Sequence, residues 1–229
     1  MELMISMFVL VLILSAVFEQ INTMQRKSNS QAMKVDLSQE AREFVDQTVR
    51  DLHMTGYPGA SMYSNPQAPP FKVAAGLVSV SPTQMLLEGD VNNDGTVYSV
   101  KIYYQASDPN DPNCPCIRRS AIAKVNLDSL SQPTNPYYTE TEHVFPPGTG
   151  AGQSGEDLFA YYDQNGEPVN VGSGVDISMP AGTNTPSGKD TISSIKTVKI
   201  NLSLLTNLRD PATNDFVRTS LAATARLNQ

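Results

Sequence analysis

The chain has 229 residues, of which 40 % are hydrophobic and 17 % charged. That is enough apolar material for one sizeable domain with a buried core, and it lies outside the composition of disordered chains. Sixteen Lys and Arg against 23 Asp and Glu leave a net charge of −7. With no basic excess to neutralise a phosphate backbone, a nucleic-acid partner is not expected. Two cysteines cannot build a four-thiolate zinc site, and two histidines, His53 and His143, leave little material for triad or metal chemistry.

Leu3 to Phe18 is an apolar run broken only by Ser6 and Ser15. As a helix it is ~24 Å long at 1.5 Å per residue, a little short of a ~30 Å hydrocarbon core. A secretory signal peptide fits badly. Glu2, not a basic residue, precedes the run, and Ser15-Ala16-Val17 continues into Phe18-Glu19-Gln20 without a cleavage-site loop. From Glu19 to His53 there is neither Pro nor Gly. Leu37, Ala41, Phe44, Val45, Val49 and Leu52 recur at helical spacing, opposite Lys34, Asp36, Glu40, Glu43, Asp46 and Arg50. Ser38, with Glu40 and Arg42, could pin a local kink, but no helix breaker stands there. Gly56-Tyr57-Pro58-Gly59 is a strong stop. The pattern predicts one segment over residues 1–56, a helix of about 50 residues and ~75 Å, with a transmembrane segment over 3–18. Glu2 is expensive at the edge of an apolar run unless it meets a positive partner or sits at the headgroup level near the helix N-terminal dipole.

Glu2-Leu-Met-Ile-Ser-Met, the apolar run, Gln25-Arg26, Leu37-Ser-Gln-Glu-Ala-Arg42 and Arg50-Asp-Leu-His-Met-Thr-Gly-Tyr57 together resemble type IV pilin-like proteins. Within these the chain is similar to the PilW family of minor pilins, related to the J-type minor pseudopilins of type II secretion. In that family a short basic leader ends in Gly, a methylated Phe follows, and a Glu stands a few residues on. Glu2 matches that Glu, whereas the leader, the Gly and the Phe have no counterpart here. The resemblance therefore implies a true start upstream of Met1, with processing by a prepilin peptidase. By the positive-inside rule Arg26 and Lys27 favour a cytoplasmic C-terminal part. The resemblance implies the reverse, an extracytoplasmic head, with a basic leader tipping the balance.

After Pro70 the helical period gives way to short β-branched and aromatic runs between turn residues. Strands are predicted near Lys72–Val80, Gln84–Gly89, Val97–Gln105, Ile117–Asn126, Leu158–Asp163, Ile192–Leu204 and Phe216–Leu227. Val198 to Leu204 alternates cleanly, so one face is buried. Residues 128–156 and 164–190, rich in Pro, Gly, Ser, Thr and Asn, are predicted to be long surface loops. The fold class is α+β: a pilin-like long N-terminal helix, its second part packed on an antiparallel β-sheet head over residues 57–229. Asp90–Lys101, Cys116–Ser120, Leu158–Gly166 and Arg226-Leu227-Asn228 extend the resemblance more loosely into this head.

Asp90, Asn92 and Asp94, with Gly95, match the start of a calcium loop. The twelfth position is Lys101, where a bidentate carboxylate is needed, and the flanks read as strands. Asn93-Asp94-Gly95 is equally a hairpin turn that accepts φ > 0. Cys114-Pro115-Cys116 pairs at i, i+2 either as a local disulfide, favoured by an oxidising compartment, or as two free thiols, favoured by the awkward small ring. Gly150-x-Gly152-x-x-Gly155 matches a dinucleotide fingerprint by letters only, without the strand–turn–helix context. Ser154 fails as a nucleophile elbow because Glu156 follows. His143 reads as a loop or edge residue. Tyr137 and Tyr138 are candidate partner contacts. Tyr161 and Tyr162 point to opposite faces of a strand, so one of them belongs to the core.

The resemblance implies a structural subunit, not an enzyme, with no required cofactor. It inserts in the inner membrane as a single-pass protein and initiates or caps a pilus or pseudopilus. Its partners are other major and minor pilin subunits and the inner-membrane assembly platform. Leu3, Ile5, Phe8, Val9, Leu12 and Ile13 form the packing surface among neighbouring helices, and Glu2 meets an adjacent subunit's N-terminal ammonium. The alternative is a membrane-anchored extracytoplasmic β-domain that binds calcium or a surface ligand and does not polymerise.

Overall fold

A computed structural model describes residues 2–63, 72–148, 156–182, 185–210 and 213–227, with the backbone alone at Glu2. The first element is a single helix, α1, Glu2–His53, of 52 residues. With no Pro or Gly in it, nothing interrupts the i→i−4 ladder, and the helix runs through Ser38 without a break. The Ser38 hydroxyl donates to the Val35 carbonyl within the helix. The helix ends where the chain reaches Gly56, whose φ of 80° is open to glycine.

The head is two antiparallel sheets. Strands β1 (Gly76–Val80), β2 (Gln84–Gly89), β3 (Tyr98–Gln105), β4 (Cys116–Ala123) and β5 (Tyr138–Thr141) form a meander, with β7 (Val175–Asp176) on the far side of β1. Strands β6 (Phe159–Tyr162), β8 (Thr197–Arg209) and β9 (Phe216–Arg226) make the second sheet, in the order β6-β8-β9. The sheets are tied where the Phe159 N–H donates to the Pro82 carbonyl and the Tyr161 hydroxyl to the Ser81 carbonyl.

The core lies between the upper half of α1 and the two sheets. Leu37, Ala41, Phe44, Val45 and Leu52 are buried along one helical face, in one cluster with Val100 and Ile102 of β3 and Leu202 and Leu204 of β8. Each large aliphatic or aromatic side chain so buried contributes about 1.5–3 kcal/mol relative to exposure. The alternation predicted for Val198–Leu204 is present: Val198, Ile200, Leu202 and Leu204 are buried, with half-exposed residues between them. The top of the helix is clamped to β2. Thr55 bridges to Gly89, and a β-carbon at Gly89 would fall on the Met54 carbonyl oxygen, so only Gly allows this approach.

The structure shortens two expected strands, β1 beginning at Gly76 instead of Lys72 and β4 ending at Ala123 instead of Asn126, and departs from the strand expectations in four further places. Ile192 lies in a helix, α2, Gly188–Ser194, not in a strand. Ser187 caps it, accepting from the Asp190 N–H at 3.1 Å and donating to the Asp190 carboxylate at 2.6 Å. That is an N-cap reinforced by a hydroxyl–carboxylate bond, and its signal, Ser187-x-x-Asp190, stands in the sequence. The strand beginning at Thr197 runs on to Arg209, five residues past Leu204. Finally, β5 and β7 lie inside the two segments predicted to be loops. Both are too short to show a period of their own and form by pairing with β4 and β1.

Candidate assembly and membrane surface

Every described side chain of α1 from Leu3 to Asn29 is exposed, and Ser30 is the first buried one. The helix therefore stands clear of the head over its first 28 residues, about 40 Å at 1.5 Å per residue. Leu3, Ile5, Phe8, Val9, Leu12 and Ile13 are between 47 % and 80 % exposed, so the predicted packing surface is free in the single chain. An apolar surface of this size on one rod needs an apolar medium or partner. By length and composition, α1 is able to cross a membrane. The side chain of Glu2 lies outside the described residues.

Above this free segment the helix is locked down by polar contacts that sequence periodicity does not show. The Ser30 hydroxyl donates to Asp210 Oδ2 at 2.9 Å, both residues buried, so the tip of the β8–β9 hairpin is tied to the helix where burial begins. The Glu142 N–H donates to Glu40 Oε1 at 3.0 Å. Asp51, fully buried, accepts from Arg119 Nε at 3.0 Å and from Gln47 Nε2 at 3.0 Å, and its Oδ2 lies 2.9 Å from Arg119 Nη2. Burial pushes its carboxyl above the ordinary range, although the Arg119 guanidinium pulls the other way. The Ser30, Glu40 and Arg119 contacts join residues 180, 102 and 68 positions apart, so no local motif announces them. The head has its own buried ion pair, Lys124 Nζ on Glu88 Oε2 at 2.6 Å; Lys124 also donates to the Val73 carbonyl at 3.1 Å, and the Ala75 N–H donates to the same Glu88 oxygen at 3.0 Å.

The Asp90–Gly95 segment is a turn between β2 and β3. Asp90 is buried; its Oδ1 accepts from the Asp94 N–H at 3.0 Å and its Oδ2 from the Gly95 N–H at 2.8 Å. Asp94 accepts from the Tyr98 hydroxyl and the Thr96 N–H, each at 2.8 Å, which holds its carboxyl below the ordinary range. Asn93 and Gly95 take φ of 55° and 80°. Asp90 and Asp94 thus use their oxygens on the loop's own donors, and Asn92 is exposed beside them.

Cys114 and Cys116 are joined in a disulfide, with Cα atoms 4.3 Å apart. Asp111 lies beside the sulfurs, but disulfide-bonded cysteines offer no thiolate to a metal. Asp111 instead joins Asp108 on Arg118, at 3.3 and 2.7 Å. Tyr161 is core and Tyr162 half-buried; Tyr137 stacks edge-on against Tyr103, and Tyr138 is exposed. His143, with φ of 51°, sits in the link between the sheets, its N–H on the Asn113 carbonyl and its carbonyl accepting from Leu205. The Gly150–Gly155 motif, with Ser154, lies outside the described residues.

The outline is pilin-like: a long apolar N-terminal helix packed on an antiparallel sheet. No protein-family model, curated protein or solved structure matches the chain.

Proposed function

We propose that this chain is a minor pilin or pseudopilin, a non-enzymatic structural subunit that inserts in the inner membrane and initiates or caps a type IV pilus or type II secretion pseudopilus. The observation that carries the reading is the division of one unbroken rod at Ser30. A membrane anchor alone needs ~20 residues of helix and a linker of any kind. Here the rod continues rigidly into the head core, so any force or register set in the lower half passes to the head without a hinge.

In the membrane the free apolar segment is solvated by lipid. In a filament the same side chains, Leu3 to Ile13, pack on neighbouring helices, lipid exchanging for protein at little change in polarity. Glu2 supplies the charge that selects register against an adjacent subunit's ammonium. Removing one partner of such a buried pair costs ~3–5 kcal/mol, because the other charge is left uncompensated. Other major and minor pilins, the assembly platform and a prepilin peptidase are the partners of this reading.

The test is the mass of the N-terminus of protein extracted from its native membrane. A methylated residue a few positions upstream of Glu2 supports the reading. An unmodified start at Met1 overturns it in favour of an anchored extracytoplasmic β-domain. A Glu2→Ala variant is expected to remain in the membrane and to lose co-purifying subunits; undiminished co-purification removes the charge role.

A further inference from the structure

Strand β9 is the outer strand of the smaller sheet and pairs on one side only. Nine consecutive pairs, from Thr197↔Arg226 to Leu205↔Arg218, hold it to β8 without a shift. The register fixes which backbone groups face outward. On β8, the Asn201 and Leu205 N–H groups donate to Leu158 and His143, and the Ser203 carbonyl accepts from Phe145. The odd-numbered residues of β8 therefore turn away from β9. Its bonds to β9 come from Val198, Ile200, Leu202 and Leu204, opposite Ala225, Ala223, Leu221 and Thr219. The N–H and C=O groups of Ser220, Ala222 and Thr224 point the other way, and among the described residues they make no hydrogen bond. Edge strands are ordinarily short, bulged, broken by Pro or covered. Over 218–226, β9 has neither Pro nor bulge, its even-numbered side chains are exposed, and Thr219, Leu221 and Ala223 on the core side are only half-buried.

The helix walls this edge. Glu40, Gln47 and Asp51 mark the flank of α1 turned to β4 and β5. About half a turn round, at ~3.6 residues per turn, the opposite flank carries Val35, Ser38 and Val49. That flank overhangs β9, because β8 lies between β9 and the 143–145 link that continues β5. Val35 is 51 % exposed and Val49 half-buried. The stretch 218–226 holds an arginine at each end, Arg218 and Arg226, and no carboxylate. Arg218 is positioned by the Phe145 ring at 4.1 Å and the Ser203 hydroxyl at 3.2 Å, and Glu156 on the same face is engaged by Lys199 at 3.3 Å.

We infer that β9 accepts an extended strand of another protein, antiparallel, apolar on its inner face and acidic where it passes Arg218 and Arg226. Only an extended chain offers N–H and C=O groups at the two-residue spacing of this edge. Its inner side chains cover Val35, Val49 and Leu221, and its outer carboxylates meet the two guanidinium groups. A second copy of this chain does not fit. Leu205, Thr206 and Asn207 share a cavity with Met33, Leu37 and Glu40, and Asp210 meets Ser30, so β8 runs toward the apolar end of α1 and β9 away from it. Antiparallel β9–β9 pairing has its two-fold axis across the strands, which points the two α1 rods in opposite directions, out of any shared membrane. Centred on Ala222, it also sets Arg218 against Arg226. The other edges offer no donor: the outward groups of β6 are taken by Pro82 and Val169, β5 leads into Glu142 held by Glu40, and β7 has two residues. This inference deepens the proposed function and rests on it for the shared membrane; the donor is a partner subunit beside this head.

The test uses full-length protein in detergent and a synthetic probe, acetyl-Glu-Val-Thr-Val-Thr-Val-Thr-Val-Glu-amide, whose end carboxylates reach Arg226 and Arg218 when its central Thr faces Ala222. Residue-resolved amide exchange is the readout. Without probe, the Ser220, Ala222 and Thr224 amides are expected to exchange freely, while those of Leu221 and Ala223, inside the ladder, are slow. At ~1 mM probe the three outward amides are expected to slow about tenfold, as for a site with a Kd of ~0.1 mM. A probe N-methylated at its central Thr, and one with Lys in place of both Glu, are expected to protect markedly less. Ala222→Pro removes an N–H that the fold does not use, so it is expected to keep the parent's melting temperature and lose the response. If it misfolds, the N-methylated probe on the parent decides. Slow outward amides without probe overturn the open edge, and slowing that grows with protein concentration alone assigns the edge to a second copy and overturns the proposal. Absence of protection by the probe overturns strand docking; equal protection by the Lys probe overturns the acidic partner. None of these readings involves a filament or N-terminal processing, so their failure leaves the test of the proposed function standing.

Discussion

Asp51 and Arg119 meet through one carboxylate oxygen, with Nε and Nη2 of the guanidinium 3.0 and 2.9 Å from it, Asp51 fully buried on the helix and Arg119 reaching in from β4. The pair is the polar bolt between the rod and the larger sheet. Its geometry compensates part of the desolvation, and still leaves the Asp51 carboxyl above its ordinary range. The native state therefore holds the Asp51 proton more tightly than the unfolded chain. This term lowers stability as pH rises from the ordinary carboxylate range to the raised value, and is flat above it.

Arg119→Met removes the guanidinium and leaves the carboxylate with Gln47 alone. We expect a loss of about 3–5 kcal/mol at neutral pH. The Asp51 carboxyl should rise further, so part of the loss relative to the parent should return as the pH is lowered through the new value. Urea unfolding of parent and variant in detergent at several pH values measures this; a pH-independent difference contradicts the assignment.

Lys124→Met leaves Glu88 wholly buried without its counter-charge. The single variant should lose about 3–5 kcal/mol, and the double variant Lys124→Met with Glu88→Gln should recover a substantial part, because the uncompensated charge is gone. A double-mutant cycle by thermal or urea unfolding reads the coupling directly.

Gly89→Ala puts a methyl group on the Met54 carbonyl oxygen. Backbone cannot rotate away as a side chain can, so the end of α1 must lift from β2. A cost of about 1–3 kcal/mol is expected, as for overpacking elsewhere. The melting temperature checks it; an unchanged value shows that the clamp has slack.

Ser30→Ala deletes a buried hydrogen bond to the Asp210 carboxylate, a class worth about 1.5–3 kcal/mol. The effect should be local, because the tip lies beyond the sheet core. Amide exchange should accelerate over residues 207–216 and stay unchanged in β3 and β4.

Asp90→Ala removes the acceptor of two loop N–H groups. Destabilisation of about 1.5–3 kcal/mol is expected from losing a buried charged acceptor. With Asp90 and Asp94 engaged by the loop's own donors, the melting temperature of the parent should be the same in chelator and in millimolar calcium. A calcium-dependent rise would mean that the ion displaces these donors.

Sequence alone determined what depends on neighbours a few positions apart. The length and unbroken course of α1 follow from 3.6-residue periodicity and the absence of Pro and Gly, and its end from Gly56. The inward face of β8 follows from alternation, and the turn at Asn93-Asp94-Gly95 from residues that accept positive φ. The short helix α2 was legible in Ser187-x-x-Asp190, but the β-branched stretch after it reads as one strand until the cap is recognised. Tertiary structure decided the rest. Strands β5 and β7 carry four and two residues, too few for a pattern, and exist because β4 and β1 offer unpaired edges. The division of the chain into two sheets, the burial of Asp51 under Arg119, and the anchoring of Asp210 on Ser30 join residues far apart in the chain, 68 and 180 positions for the two polar pairs. Such pairings are chosen by which surfaces the folded core brings together, and a local window along the chain contains only one partner of each.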